Sequence, residues 1–196
     1  PEDILNFNGK NIIAVVVYDS QQHGGIVGGD VGIYTSKYGM KVDVSLQGRW
    51  KFHTRDNMDW AREDYDDSGW DEIFVPGKWE DQQYRNYDGY AWYRTKVNYS
   101  KDLGEYIVLL LGKIDDIDQV FVNGQLVGST GNLVAGESWH VNTGWEHREF
   151  RGYYIPKGLL KRNQENLIAV RVYDSGGIGG IYEAPVGLIT QDNYIN

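Results

Sequence analysis

The chain has 196 residues, enough for one domain with a real hydrophobic core and no disulfide or metal staple. Apolar residues make up 41% and aromatic ones 14%, which excludes intrinsic disorder, and zero Cys excludes disulfides, thiolate metal sites and thiol chemistry. With 28 acidic against 19 basic residues the net charge is −9, so phosphates would be repelled and nucleic acid is set aside as a partner. No apolar run reaches the roughly 18 residues a membrane span needs, so no membrane role is expected.

Period-2 alternation and turn residues give the elements in chain order. Val42, Val44 and Leu46 alternate with Asp43 and Ser45 as a first strand, and Trp50 and Phe52 follow after Gly48. Residues 60–65 read as a short helical stretch, and Ile73 to Val75 as a strand stopped by Pro76-Gly77. From Ala91 to Tyr99, Trp92, Arg94 and Lys96 alternate with Tyr93, Thr95 and Val97. Residues 106–111 are apolar on both faces, which predicts a central, covered strand. Asn123-Gly124 between two strand patterns is a hairpin signal, because Asn-Gly supplies the positive φ angles of a type I′ turn. Lys157 to Leu160 reads as a second helical turn, and Leu167 to Tyr173 places Ile168, Val170 and Val172 on one face. Trp50, Trp70 and Trp92 sit in strand-like patterns and are expected in the core. Many short strands with frequent turns predict an all-β, two-sheet antiparallel sandwich.

A repeat organises the chain. Residues 11–35 align without gaps to residues 166–190, with 14 of 25 positions identical. The expected organisation is therefore residues 1–40 as the C-terminal strands of a preceding, truncated copy and residues 41–196 as a complete sandwich. Arg171 is replaced by Val16 in the first copy, which suggests a covered position there. The shared strand sequence also makes a strand-swapped dimer an option.

Two stretches are more specific. VPGKWEDQQYRNYDGYAWYRTKV (Val75 to Val97), and LLLGKIDDIDQVFVNGQLVGSTG (Leu109 to Gly131) followed by GYYIPKGLLKRNQENLIAVRVYD (Gly152 to Asp174), resemble the galactose-binding-like jelly-roll domain. The version they resemble is the sugar-binding domain of glycoside hydrolase family 2, also found beside sialate O-acetylesterase-like enzymes, over about residues 41–190. The resemblance implies an antiparallel jelly-roll sandwich in a larger, exported protein, extracellular or periplasmic. It also implies that the catalytic machinery of the parent glycoside hydrolase or esterase lies in other domains. No Gly-x-Ser-x-Gly or Gly-Asp-Ser nucleophile motif occurs in the chain.

Sugar recognition favours aromatic faces beside planar polar groups. Two loop regions offer that mixture: Trp79, Tyr84 and Tyr87 in one, and Glu137, Trp139, Asn142, Trp145 and Arg148 in the other. Asp115, Asp116 and Asp118 read as turn-fixing carboxylates, with a structural calcium as the sharper alternative. No other cofactor is expected. The Gly176 to Ile181 loop follows a strand but no helix pattern follows it, so it reads as a tight connection rather than a phosphate loop. Adjacent acids such as Asp66-Asp67 and Glu80-Asp81 point to opposite sides of an extended chain and cannot alone form a glycosidase pair. His140, His147, Glu137 and Glu146 match no zinc spacing. The leading expectation is a non-catalytic carbohydrate-binding module whose partners are a saccharide or neighbouring domains of its parent. The rival is a structural module that orients a neighbouring catalytic domain. An enzyme in its own right would need separated carboxylates converging in an open cleft.

Overall fold

The computed structural model describes residues 6, 9–15, 40–131 and 146–195. The chain divides into two compact units, Pro1–Tyr38 and Gly39–Asn196. In the first unit, the Asn11 carboxamide closes a turn: its Oδ1 accepts from Asn6 N at 2.7 Å, and its Nδ2 donates to Asn6 O at 2.7 Å and Gly9 O at 3.3 Å. Beyond it, Ile12, Ile13 and Val15 are exposed.

The second unit is an antiparallel sandwich. Its strands are β1 (Val44–Ser45), β2 (Gly48–Thr54), β3 (Asp71–Val75), β4 (Gly89–Asn98) and β5 (Ile107–Ile114), then β6 (Ile117–Val122), β7 (Gln125–Thr130), β8 (Phe150–Ile155), β9 (Glu165–Asp174) and β10 (Ile181–Thr190). One sheet has the order β1-β10-β5-β8 and the other β3-β2-β4-β9-β6-β7. A short helix, α1 (Gln191–Ile195), follows β10. Among the described residues no helix is long and apolar enough to cross a membrane.

Alternation decides which side chains meet between the sheets. Trp50, Phe52, Ala91, Tyr93, Ile168 and Val170 from the larger sheet join Leu109, Leu111, Val186 and Leu188 from the smaller one in the main core. The central strand expected at 106–111 is β5, whose outer residues Val108 and Leu110 pack with Ile189 under Met40, Val42 and Tyr194. This second layer explains its apolar run. The Asn123-Gly124 hairpin forms as expected, with φ of 46° and 78°. At the bulge between β5 and β10, Gly112 (φ 56°) lies so close that a Cβ would sit 1.5 Å from Glu183 O.

Two expectations change. Of the first predicted strand only Val44–Ser45 pairs, with β10, although Asp43 N and Leu46 N also donate to Leu188 O and Val186 O. Residues 157–160 form a turn without a helix, and the helical stretch at 60–65 is a 3-10 turn at Met58–Ala61, capped by Asn57. Trp50, Trp70 and Trp92 are buried as expected, Trp70 and Trp92 in a second core cluster with Trp60 and Phe121 on the outer face of the larger sheet. The excursion between β2 and β3 covers that face, and Arg94 fastens it. Its guanidinium pairs with Asp67 at 2.7 Å and donates to the carbonyls of Trp60, Arg62 and Tyr65.

Candidate functional site

β2 ends, β3 and β4 begin, β5 turns into β6, β9 ends and β10 begins at one end of the sandwich, because the register pairs Phe52 with Asp71, Thr54 with Ala91, Gly89 with Asp174, Tyr173 with Ile117 and Ile181 with Ile114. β7 ends there too (Asp118 pairs with Thr130), and β8 begins there (Lys113 pairs with Phe150). The first loop region expected to carry recognition, 79–90, returns to the scaffold at this end with Gly89, and the described flanks of the second, Gly131 and Glu146, lie at the same end. Loops on a rigid scaffold are where binding residues concentrate.

The first loop is committed to packing. Trp79 is completely buried, and Gly179 passes so close that a Cβ there would lie 1.9 Å from its ring. It offers no face to a ligand. Tyr84 packs tilted against Phe52, ring centroids 4.6 Å apart, and donates its hydroxyl to Asp71 Oδ2 at 2.7 Å; burial, then the Asp71 carboxylate, pushes its pKa up. Tyr87 packs edge-on to Trp79 at 5.6 Å, donates to Tyr90 O at 2.5 Å and accepts from Arg55 N at 3.0 Å. Half-buried rings with bonded hydroxyls are structural anchors.

In the second loop Glu137, Trp139, Asn142 and Trp145 lie outside the described residues. Arg148 is exposed on the turn Glu146–Arg148, with Nε donating to His147 Nε2 at 3.2 Å. That turn is held from below. Arg151 donates to the carbonyls of Glu146 and Glu149, and Tyr182 Oη donates to His147 O at 2.5 Å. The same Arg151 pairs with Asp118 Oδ1 at 2.7 Å and donates to Asp116 O at 2.8 Å, while Tyr153 Oη donates to Asp118 Oδ2 at 2.5 Å. The Arg151–Asp118 pair joins the two sheets and is almost wholly buried. The sequence held a signal for it, since both charges point inward from apolar strand patterns and an inward charge demands a partner.

Carboxylates also clamp the glycine loop 176–180. Asp116, itself left-handed at φ 57°, accepts from Ser175 N at 2.8 Å and Oγ at 2.6 Å. Asp174 accepts from Gly176 N at 2.8 Å and Glu80 from Gly179 N at 2.9 Å. Burial, with the charges of Asp116 and Asp174 nearby, pushes Asp115 up to about 7. Burial likewise raises Asp174 to about 6, against the Gly176 bond. The three aspartates proposed as a calcium alternative do not fit one: Asp118 is taken by Arg151 and Tyr153, and Asp116 Oδ2 by Ser175. Among the described residues no three His, Asp or Glu side chains converge on an ion-sized site.

The two antiparallel sheets define the class: an all-β sandwich domain. The sequence profile of the beta-galactosidase second all-beta domain matches residues 55–177. The chain belongs to that family. No curated protein sequence matches it. Among solved structures, a Bacteroides uniformis beta-glucuronidase is similar with TM-score 0.56 and 23% identity over 71% of this chain and 16% of that one. A Bacteroides cellulosilyticus member of glycoside hydrolase family 2 gives 0.54 and 23% over 71% of this chain and 19% of that one. Ruminococcus gnavus beta-glucuronidase gives 0.51 and 20% over 70% and 23%. These likenesses are of fold, and the chain spans less than a quarter of each of these three structures.

Proposed function

We propose that the chain is a non-catalytic accessory module of a larger, exported glycoside hydrolase, and that it contacts saccharide at the end bearing Arg148. The observation that carries this reading is the convergence of Arg148 and the flanks of segment 132–145, Gly131 and Glu146, on one braced end of a family sandwich. Trp139 and Trp145 would stack on a sugar ring, with Arg148, Asn142 and Glu137 bonding hydroxyls. Carboxylates gather at this end and the chain carries −9, so a neutral sugar suits it better than a uronate. Calorimetric titration tests it: neutral galactosides should give saturable heat that Trp139→Ala and Trp145→Ala abolish. No heat with neutral or uronic saccharides, or heat unchanged in both variants, refutes it.

The rival reading is a module that orients a neighbouring catalytic domain. It is favoured by the commitment of Trp79, Tyr84 and Tyr87 to packing and by the exposed Phe74, Leu126 and Tyr154. Sedimentation with the catalytic domain should then show a complex that Phe74→Asp or Tyr154→Asp weakens.

A further inference from the structure

Residues 11–15 repeat the sequence of the first half of β9 without its burial. Asn166, its counterpart to Asn11, makes the same bonds: Oδ1 accepts from Lys161 N at 2.7 Å, and Nδ2 donates to Lys161 O and Gln164 O, both at 2.9 Å. Lys161 and Gln164 align with Asn6 and Gly9, and the shared backbone bond recurs as well, Gly9 N to Asn6 O and Gln164 N to Lys161 O. The match extends upstream, with Pro1, Leu5 and Asn8 aligned to Pro156, Leu160 and Asn163. One device therefore launches both segments. After it the two diverge in burial. Leu167, Ile168 and Val170 are 4%, 0% and 0% exposed, whereas Ile12, Ile13 and Val15 are 83%, 68% and 61% exposed.

We propose that residues 11–15 belong to the central strand of a second sandwich of this kind, seated between two antiparallel strands equivalent to β4 and β6 that lie upstream in the same polypeptide. Every strand that pairs with β9 or β10 precedes them in sequence. A second copy of the complete sandwich has no vacancy to offer. β9 pairs with β4 from Glu165 to Asp174 and with β6 from Ile168 to Tyr173. Arg171 is held at its own position by Asp56 at 2.5 Å, Gln119 at 2.8 Å and the Tyr90 ring at 4.5 Å. Val16 in its place calls for an apolar cover on that face of the upstream sheet. This inference goes beyond the accessory role and stands whether or not any sugar binds.

Hydrogen exchange tests it on the 196-residue chain and on the polypeptide carrying its native upstream sequence. Amides 12–15 should exchange freely in the former and on the order of 10³-fold or more slower in the latter, as central-strand amides do. Free exchange in both, or native upstream sequence too short for a domain, overturns the proposal. So does protection already present in the 196-residue chain, which would mean pairing within it or with a second copy. In the extended polypeptide, Ile13→Asp should abolish that protection without shifting the melting of residues 39–196. If that variant is insoluble, Ile13→Val should lower only the upstream transition, by roughly 2–8 °C; a fall in the downstream transition instead contradicts the proposal.

Discussion

Asp118 and Arg151 face each other across the interior with side-chain exposures of 0% and 1%, and neither has water to fall back on. Burial pushes Asp118 up, and the Arg151 charge and bonds oppose it. Removing one member leaves the other charged and unpaired, so Arg151→Leu should cost about 3–5 kcal/mol in urea denaturation. A loss under about 1 kcal/mol would mean the pair is not buried as described. The same substitution frees the carbonyls of Glu146 and Glu149, so it should also loosen the Arg148 turn. Asp115 and Asp174 behave in the opposite sense to a salt-bridged acid. Their folded pKa values, about 7 and about 6, lie above the ordinary 3.8. Between about pH 4 and 7 the folded chain holds protons that the unfolded chain has lost, so their contribution falls as pH rises through that window. The melting temperature should therefore rise on acidification from pH 7.5 to 5, and Asp115→Asn should flatten much of that rise. A rise that Asp115→Asn leaves intact would place the titration elsewhere.

Two elements owe their position to a close approach or a single cation. Gly179→Ala puts a methyl into the Trp79 ring, which is itself fully buried and has nowhere to move. A loss of about 1–3 kcal/mol is expected from such overpacking, read in urea, whereas a neutral outcome would show that the loop can lift. Arg94→Ala releases four bonds to the excursion at 57–70 and should red-shift the emission of Trp60 and Trp70. Unchanged emission would mean that the excursion does not depend on Arg94. The strands and the Asn123-Gly124 hairpin were legible because period 2 and turn chemistry are local. The outer layer of Trp60, Trp70 and Trp92 was not, since alternation reports burial without saying which face of a sheet is covered. Site residues were legible only by type. A Tyr reads as a sugar platform in any polar loop, and only the Asp71 and Tyr90 bonds show that Tyr84 and Tyr87 are already engaged. Arg151 was not singled out in the sequence, because its partner across the sandwich depends on a pairing no local pattern encodes.

At the scale of the molecule, a sandwich held by its own two layers should not need residues 1–38. Deleting them should leave the melting temperature of residues 39–196 unchanged, and a fall of several degrees would show that the first unit supports the second. On the proposed function, the braced end of the sandwich binds saccharide and leaves it intact. The most direct test is an NMR-monitored titration with neutral β-galactosides, following backbone amides and substrate together. Shifts confined to residues 131–149 and their neighbours at that end, with the saccharide intact, are predicted. Shifts absent everywhere or centred on the opposite end, at the grooves beside Asn123 and Tyr99, would contradict the claim, as would appearance of hydrolysed sugar.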